Sequence, residues 1–140
     1  MTTAAMLDPD TLHTRVQRFY AAQMQRLDER DIEGYAETFT DAAEFSHTPG
    51  RPPSRTRAGI IEDLRDFHHR FTDDPMQRRH WVNMIDVALA EDGSIVSTAY
   101  CLVVKVRPKQ EPVFVSTVIH DVLVEIAGKL FTRSRHVSYD

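Results

Sequence analysis

The side chains in this sequence that could do chemistry are mainly its seven histidines and a few carboxylates set in apolar surroundings. His80 opens a run rich in Val, Ile and Trp, within Arg79-His80-Trp81. Imidazole titrates nearest neutrality, so a histidine can both take and return a proton. The alternative for His80 is a surface or capping residue at a strand start. His120 and Asp121 are neighbours in another apolar run, where side chains alternate, so only one of them can face an interior. An inward aspartate there is costly unless paired. His47 precedes the turn-like Thr48-Pro49-Gly50, so it can serve a pocket or stand exposed in a loop. Tyr20, Tyr35, Trp81 and Tyr100 combine an aromatic body with a polar tip, which suits either core packing or the wall of a ligand pocket.

Other chemistries have little support. His68-His69 falls in a helical stretch, where adjacent residues diverge by about 100° and do not easily ligate one ion. No His-x-x-x-His or cysteine cluster accompanies them. There is no Gly-rich phosphate loop and no Gly-x-Ser-x-Gly elbow. No cofactor and no metal are expected.

The elements that must position these residues divide the chain in two. Asp8 or Asp10 can cap a first helix, with Pro9 suited to its first turn. Leu12, Val16, Phe19, Tyr20, Gln23 and Leu27 follow at helical spacing up to an end near Asp28–Arg30. Asp31 reads as the cap of a short second helix with Ile32, Tyr35, Ala36 and Phe39 as its buried stripe. A short strand is expected over Ala42–His47, then a Pro- and Arg-rich loop over Thr48–Thr56. A third helix is expected over Arg57–Phe71. From His80 the period changes, with strands expected over His80–Ala90, Ile95–Val106, Val113–Ile126 and Leu130–Tyr139 in an antiparallel meander. Asn83, three residues after His80, falls on the opposite face. Helices first and strands second indicate an α+β domain. The boundaries are a flexible N-terminus over residues 1–9 and a single domain over residues 10–140.

Composition limits the class. With 140 residues, 41% of them hydrophobic, the chain can bury one real core. A net charge of −4 argues against nonspecific nucleic-acid binding. No apolar run approaches the roughly 18 residues of a membrane span. The single cysteine, Cys101, cannot form an internal disulfide and reads as a small buried hydrophobe. A cytoplasmic location is expected.

The segments Leu27-Asp28-Glu29-Arg30-Asp31-Ile32-Glu33-Gly34-Tyr35, Arg79-His80-Trp81-Val82-Asn83 and Gly128-Lys129-Leu130-Phe131-Thr132-Arg133-Ser134-Arg135, in this order, resemble the SnoaL-like branch of the NTF2-like superfamily. That branch includes polyketide cyclases, scytalone-dehydratase-like enzymes and small β-subunits of ring-hydroxylating dioxygenases. The resemblance implies a cone, with three helices packed on a long curved antiparallel sheet and a pocket at its open end. It implies that His80 is the general acid/base and that Asp28 orients it, a solvated helix-end charge being the alternative for Asp28. Relatives carry a tyrosine before that aspartate, where this chain has Leu27. His47 falls near a pocket tyrosine of relatives and could replace it as a proton donor. Counting back from the Gly128 turn in the family's pattern places Thr117, Ile119 and Asp121 inside and His120 outside. A one-residue bulge would exchange the last two.

The function this implies is dehydration, cyclisation or isomerisation next to a carbonyl of a hydrophobic aromatic or polyketide-like molecule. His80, Asp28 and His47 would be catalytic, and Asp121, Tyr20, Tyr35, Trp81 and Tyr100 would bind substrate. The alternative is a non-catalytic protein: a carrier or protector of an intermediate, or a dioxygenase-β-like structural subunit. Both stripes of Ile95–Val104 are apolar, so a homodimer through the sheet is expected.

Overall fold

The structure, a computed structural model, describes residues 8–140. Most of the segment expected to be flexible, residues 1–9, lies outside the described residues. Its last residue, Pro9, is already helical.

Helix α1 (Pro9–Asp28) begins where Asp8 accepts a hydrogen bond from the Thr11 backbone N–H at 3.0 Å. Proline needs no intrahelical partner in that first turn. Leu12, Val16, Tyr20, Gln23, Met24 and Leu27 form the buried stripe. The helix ends in a Schellman turn, with Arg30 N–H bonding Leu27 O and Asp31 N–H bonding Arg26 O. Arg30 takes the left-handed position, φ 64°, usually given to glycine. Asp31 then caps helix α2 (Ile32–Ala36) through the Gly34 N–H at 3.0 Å. A Cβ on Gly34 would displace that capping carboxylate, so a larger residue here costs the cap.

Phe39 does not belong to the second helix, as the periodicity predicts, but opens strand β1 (Phe39–Ser46). The Thr38 carbonyl is captured by the Thr132 N–H at 2.8 Å, and this long-range bond turns the chain extended. Phe39 keeps its core position. Thr40 and Asp41, ahead of the strand expected over Ala42–His47, lie inside this strand. The Pro-rich loop closes with a two-residue strand, β2 (Ser54–Arg55), before helix α3 (Thr56–Arg70). The meander follows as β3 (Gln77–Leu89), β4 (Ile95–Val106), β5 (Val113–Ile126) and β6 (Lys129–Tyr139).

The six strands lie in the order β2-β1-β6-β5-β4-β3. The sheet is not wholly antiparallel, because β1 runs parallel to β6. Periodicity within a strand does not report a partner ninety residues away. The β5–β6 turn has φ 51° at Ala127 and φ 81° at Gly128, the two positive values that a tight primed hairpin requires.

Two bulges set which residues face inward. In β3 one extra residue is accommodated between Asn83 and Asp86, with Met84 at φ 54°. His80 and Val82 face the helices before it, and Ile85 and Val87 after it. In β6 an extra residue at Arg133 lets both Thr132 and Arg135 point inward. Such insertions bend the strand and add twist. The result is a curved, unclosed sheet with the helices in its concavity, the architecture the resemblance implies. One core cluster joins Met24, Tyr35, Phe39, Phe45 and Ile60 to Ile119. A second joins Leu12, Val16 and Tyr20 to Ile95, Ala99 and Leu123. Along β4 only the odd-numbered stripe is buried, and Val96, Tyr100 and Leu102 are exposed on the outer face.

Candidate functional site

A cavity of about 150 Å³ lies between the helices and the concave side of the sheet. Its depth is apolar, with Met24 and Leu27 from α1, Phe45 from β1, Leu64 from α3 and Ile119 from β5. Its polar groups are His80, His47, Tyr35, Thr117, Arg78, Lys105, Arg135 and Tyr139. An apolar hollow with a few convergent polar groups is the usual design of a small-molecule site.

The last residue of α1 and the fourth residue of β3 meet at its wall. Asp28 Oδ1 lies 2.6 Å from His80 Nδ1, and Asp28 Oδ2 accepts the His80 backbone N–H at 3.1 Å. One residue thus holds both carboxylate oxygens and fixes the plane of the carboxylate. The side chains are 7% and 11% exposed. A carboxylate accepts only, so Nδ1 carries the hydrogen and Nε2 is left as the basic nitrogen. A crevice between α1 and β3, bordered by Tyr20, Ala21 and Ile85, reaches the same imidazole from behind.

His47 follows β1 and lines the cavity, with Nδ1 3.1 Å from Thr48 Oγ1. Burial lowers its pKa below 6.5, and Arg78, Arg51 and Arg70 reinforce this against Asp63, so the ring is held neutral. The Tyr139 hydroxyl donates to its carbonyl at 2.7 Å. Cys101 lies in the wall, and burial pushes its thiol up to about 11, which keeps it protonated and unreactive.

Asp121 faces inward, and His120 faces out toward Ser138. The aspartate is not a cavity wall. Arg135 donates to it through Nε at 2.9 Å and Nη2 at 2.7 Å, and Tyr20 Oη lies 2.8 Å from Oδ2. Arg135 also bonds Tyr35 Oη at 2.9 Å and Gln23 Oε1 at 2.7 Å, while Ser97 lies 2.8 Å from Tyr20 Oη. Burial alone would lower the Arg135 pKa, but Asp121 and Tyr35 outweigh it and hold the guanidinium charged. Tyr20 belongs to this sealed network and does not line the cavity. Tyr35 reaches both, presenting its ring to the cavity and its oxygen to Arg135. Burial raises the pKa of both phenols, so neither ionises near neutrality.

Trp81 and Tyr100, 59% and 58% exposed, stand on the outer face of the sheet. They are not pocket residues: strand alternation sends Trp81 away from the side of its neighbour His80, and the β3–β4 register sets Tyr100 opposite the outward Asn83. Sequence reasoning missed Arg78, Lys105, Thr117 as a wall residue, Arg135 and Tyr139. Arg78 was within reach, being two positions before His80 and so on the same face. Among the described residues, no three His, Cys, Asp or Glu side chains converge as a metal site. Among them also, no helix is long and apolar enough to cross a membrane.

Comparison with known proteins adds identity to this geometry. The family described as SnoaL-like domain matches residues 11–136. Among solved structures, ActVI-ORFA from Streptomyces coelicolor is 49% identical, with a TM-score of 0.86 over 93% of this chain and 98% of that one. A Catenulispora acidiphila protein in complex with S-DNPA is 40% identical, with a TM-score of 0.86 over 94% and 95% of the two chains. Aln2 from a Streptomyces species is 32% identical, with a TM-score of 0.85 over 96% and 94%. A search of curated proteins finds no match.

Proposed function

Because the chain belongs to the SnoaL-like domain family, we propose that it is a cofactor-independent acid–base enzyme acting on a hydrophobic aromatic or polyketide-like molecule. The reaction is dehydration, cyclisation or isomerisation next to a carbonyl. The observation that carries this reading is the 2.6 Å Asp28–His80 contact at the wall of an apolar cavity. His80 Nε2 takes a proton from the carbon beside the carbonyl, giving an enolate. Asp28 holds the tautomer and stabilises the imidazolium that forms. The imidazolium then returns the proton, to a leaving hydroxyl in dehydration or to carbon in isomerisation. His47, kept neutral, offers the substrate oxygen a hydrogen bond. The Catenulispora relative crystallised with S-DNPA supports a small-molecule ligand for this cavity.

A second reading, a non-catalytic binder or accessory subunit, is favoured by Leu27. It puts an alkyl group in the cavity wall where dehydratase-like relatives carry a tyrosine. One assay separates the two readings. Wild type and His80→Ala are incubated, with a chelator and no cofactor, with aromatic β-hydroxy-ketones and polyketide-like compounds, and products are read by mass. The enzyme reading expects loss of water or isomerisation, reduced about 10²–10⁴-fold in the variant. Ligand-induced gain in melting temperature without turnover of any compound supports the binder instead.

The exposed stripe of Trp81, Tyr100, Leu102 and Phe114 on the outer sheet face supports a homodimer through that face. A clean monomer in sedimentation at micromolar concentration rejects it.

A further inference from the structure

The outer face of the sheet carries a pair of histidines that the acid–base reading of the cavity does not use. His120 on β5 and His136 on β6 are direct partners in the antiparallel ladder. Both are exposed, with ring centres 6.0 Å apart and ring planes tilted by 35°. Opposed residues of a ladder have Cβ atoms about 4.5–5.5 Å apart, so the strands fix the spacing and only the side-chain torsions remain free. Other histidines are placed differently. His80 is committed to Asp28, and His47 lies against Thr48. His68 and His69 are neighbours on α3, where adjacent side chains diverge by about 100°.

This spacing suits a chelate. An imidazole nitrogen binds Zn2+ at about 2.0–2.1 Å, and the ring centre lies about 1.1 Å further out. Two such rings on a tetrahedral ion have their centres about 5.2 Å apart. Rotation of exposed side chains, which is fast and cheap, closes the remaining difference. The surroundings also admit a cation. On the same face His120 is flanked across the ladder by Thr98, and His136 by Ser46. Along their own strands stand Val118, Val122, Ser134 and Ser138. None of these six carries a positive charge. Ser138 Oγ lies 3.2 Å from His120 Nε2, a hydroxyl contact that an ion can displace. Glu44, opposite Ser134, and Arg55 pair with one another. Asp86 stands opposite Thr98, two strands and about 10 Å from His120, too far to ligate but of a sign that favours a cation. Two imidazoles without a carboxylate or thiolate suit Zn2+, Ni2+ and Cu2+, whereas Mg2+ and Ca2+ require oxygen ligands.

We infer that His120 and His136 form a two-imidazole site for a late first-row divalent ion, with water in its remaining positions. The site lies on the opposite face of the sheet from the Asp28–His80 pair. It takes no part in the proposed chemistry and stands or falls independently of it.

The test is a Zn2+ titration of the full chain, followed by calorimetry and by NMR of isotope-labelled imidazole nitrogens. It is run at about pH 7.5, where free imidazole is largely neutral, in a buffer that does not bind metal. The expected result is one ion per chain, with the ring nitrogens of His120 and His136 shifting together. Those of His13, His47, His68, His69 and His80 stay in place. His120→Gln and His136→Gln each weaken binding about tenfold or more, because the chelate loses one of its two protein ligands, and the double variant abolishes it. Melting curves confirm that the variants are folded, and the wild-type NMR result stands without any variant. Mg2+ is expected to shift neither ring. No shift of either ring under a large excess of Zn2+ overturns the site, as does a shift of only one of the two or a shift confined to other histidines. Zn2+ affinity unchanged in the folded double variant also overturns it. An equal response to Mg2+ overturns the assignment to imidazole coordination.

Discussion

Asp121–Arg135 and Asp28–His80 are both buried pairs of an aspartate and a nitrogen base, and they differ in what surrounds them. Asp121 receives two bonds from Arg135 and lies against Tyr20, and Arg135 goes on to Tyr35 and Gln23. Among the described residues no buried side-chain nitrogen or oxygen is left without a partner. Such a network is closed around Asp121, with Arg135 and the Tyr35 ring at the border of the cavity. Asp28 spends both oxygens on one histidine, and that histidine keeps its second ring nitrogen for the cavity. The Asp121–Arg135 side chains are 0% and 1% exposed and form a full ion pair, whereas Asp28 and His80 are 7% and 11% exposed. On the proposed reading, what distinguishes a strut from a reactive pair is whether a hydrogen-bonding position is left over and whether it opens onto space.

Breaking the sealed pair gives the largest effect. Asp121→Asn leaves Arg135 charged and buried without its counter-ion, which costs about 3–5 kcal/mol. Urea denaturation reads this directly, and a loss below about 1 kcal/mol would mean that water reaches the network. Breaking the open pair changes activity instead. Asp28→Asn removes the charge that stabilises the imidazolium, so kcat falls about 10²-fold with KM and melting temperature little changed. A fall in stability matching that of Asp121→Asn would make Asp28 a strut as well.

The smallest effect sharpens the comparison at a half-buried imidazole whose ring bonds a hydroxyl, that of Thr48, rather than a carboxylate. Burial holds the folded-state pKa of His47 below 6.5. The folded protein therefore binds fewer protons here than the unfolded chain does as the pH falls past that value. The contribution is intact above pH 6.5 and is lost as the pH drops through it toward the folded pKa. His47→Gln is expected to flatten the stability profile below about pH 6.5. An unchanged profile assigns the acid sensitivity to other groups.

Much of the fold is legible in the chain. Asp8 and Asp31 cap helices because a short carboxylate side chain reaches back to the first free N–H groups. Strand β4 runs over Ile95–Val106 and β5 over Val113–Ile126, as their composition and turns predict. Periodicity misplaces Phe39 in a helix because its strand partner lies near the far end of the chain. Within the site, chemistry and resemblance together pick out the residues that meet at the cavity wall, Asp28 and His80. They also assign Trp81 and Tyr100 to a pocket these residues do not face, although alternation from His80 already sends Trp81 the other way.

The inward position of Asp121 came with the family resemblance, while residue types and periodicity determined the α+β order, the capped helices and the long strands. These follow from local covalent geometry, which repeats every 3.6 residues in a helix and every two in a strand. Only the tertiary structure decided that Asp121 is sealed while Asp28 is not. That depends on a bulge that turns Arg135 inward opposite Asp121, and on helix α1 ending where β3 begins its curve. It also decided that Arg78 and Lys105 face one another, since register across strands is fixed by contacts between distant segments and leaves no periodic trace in either one.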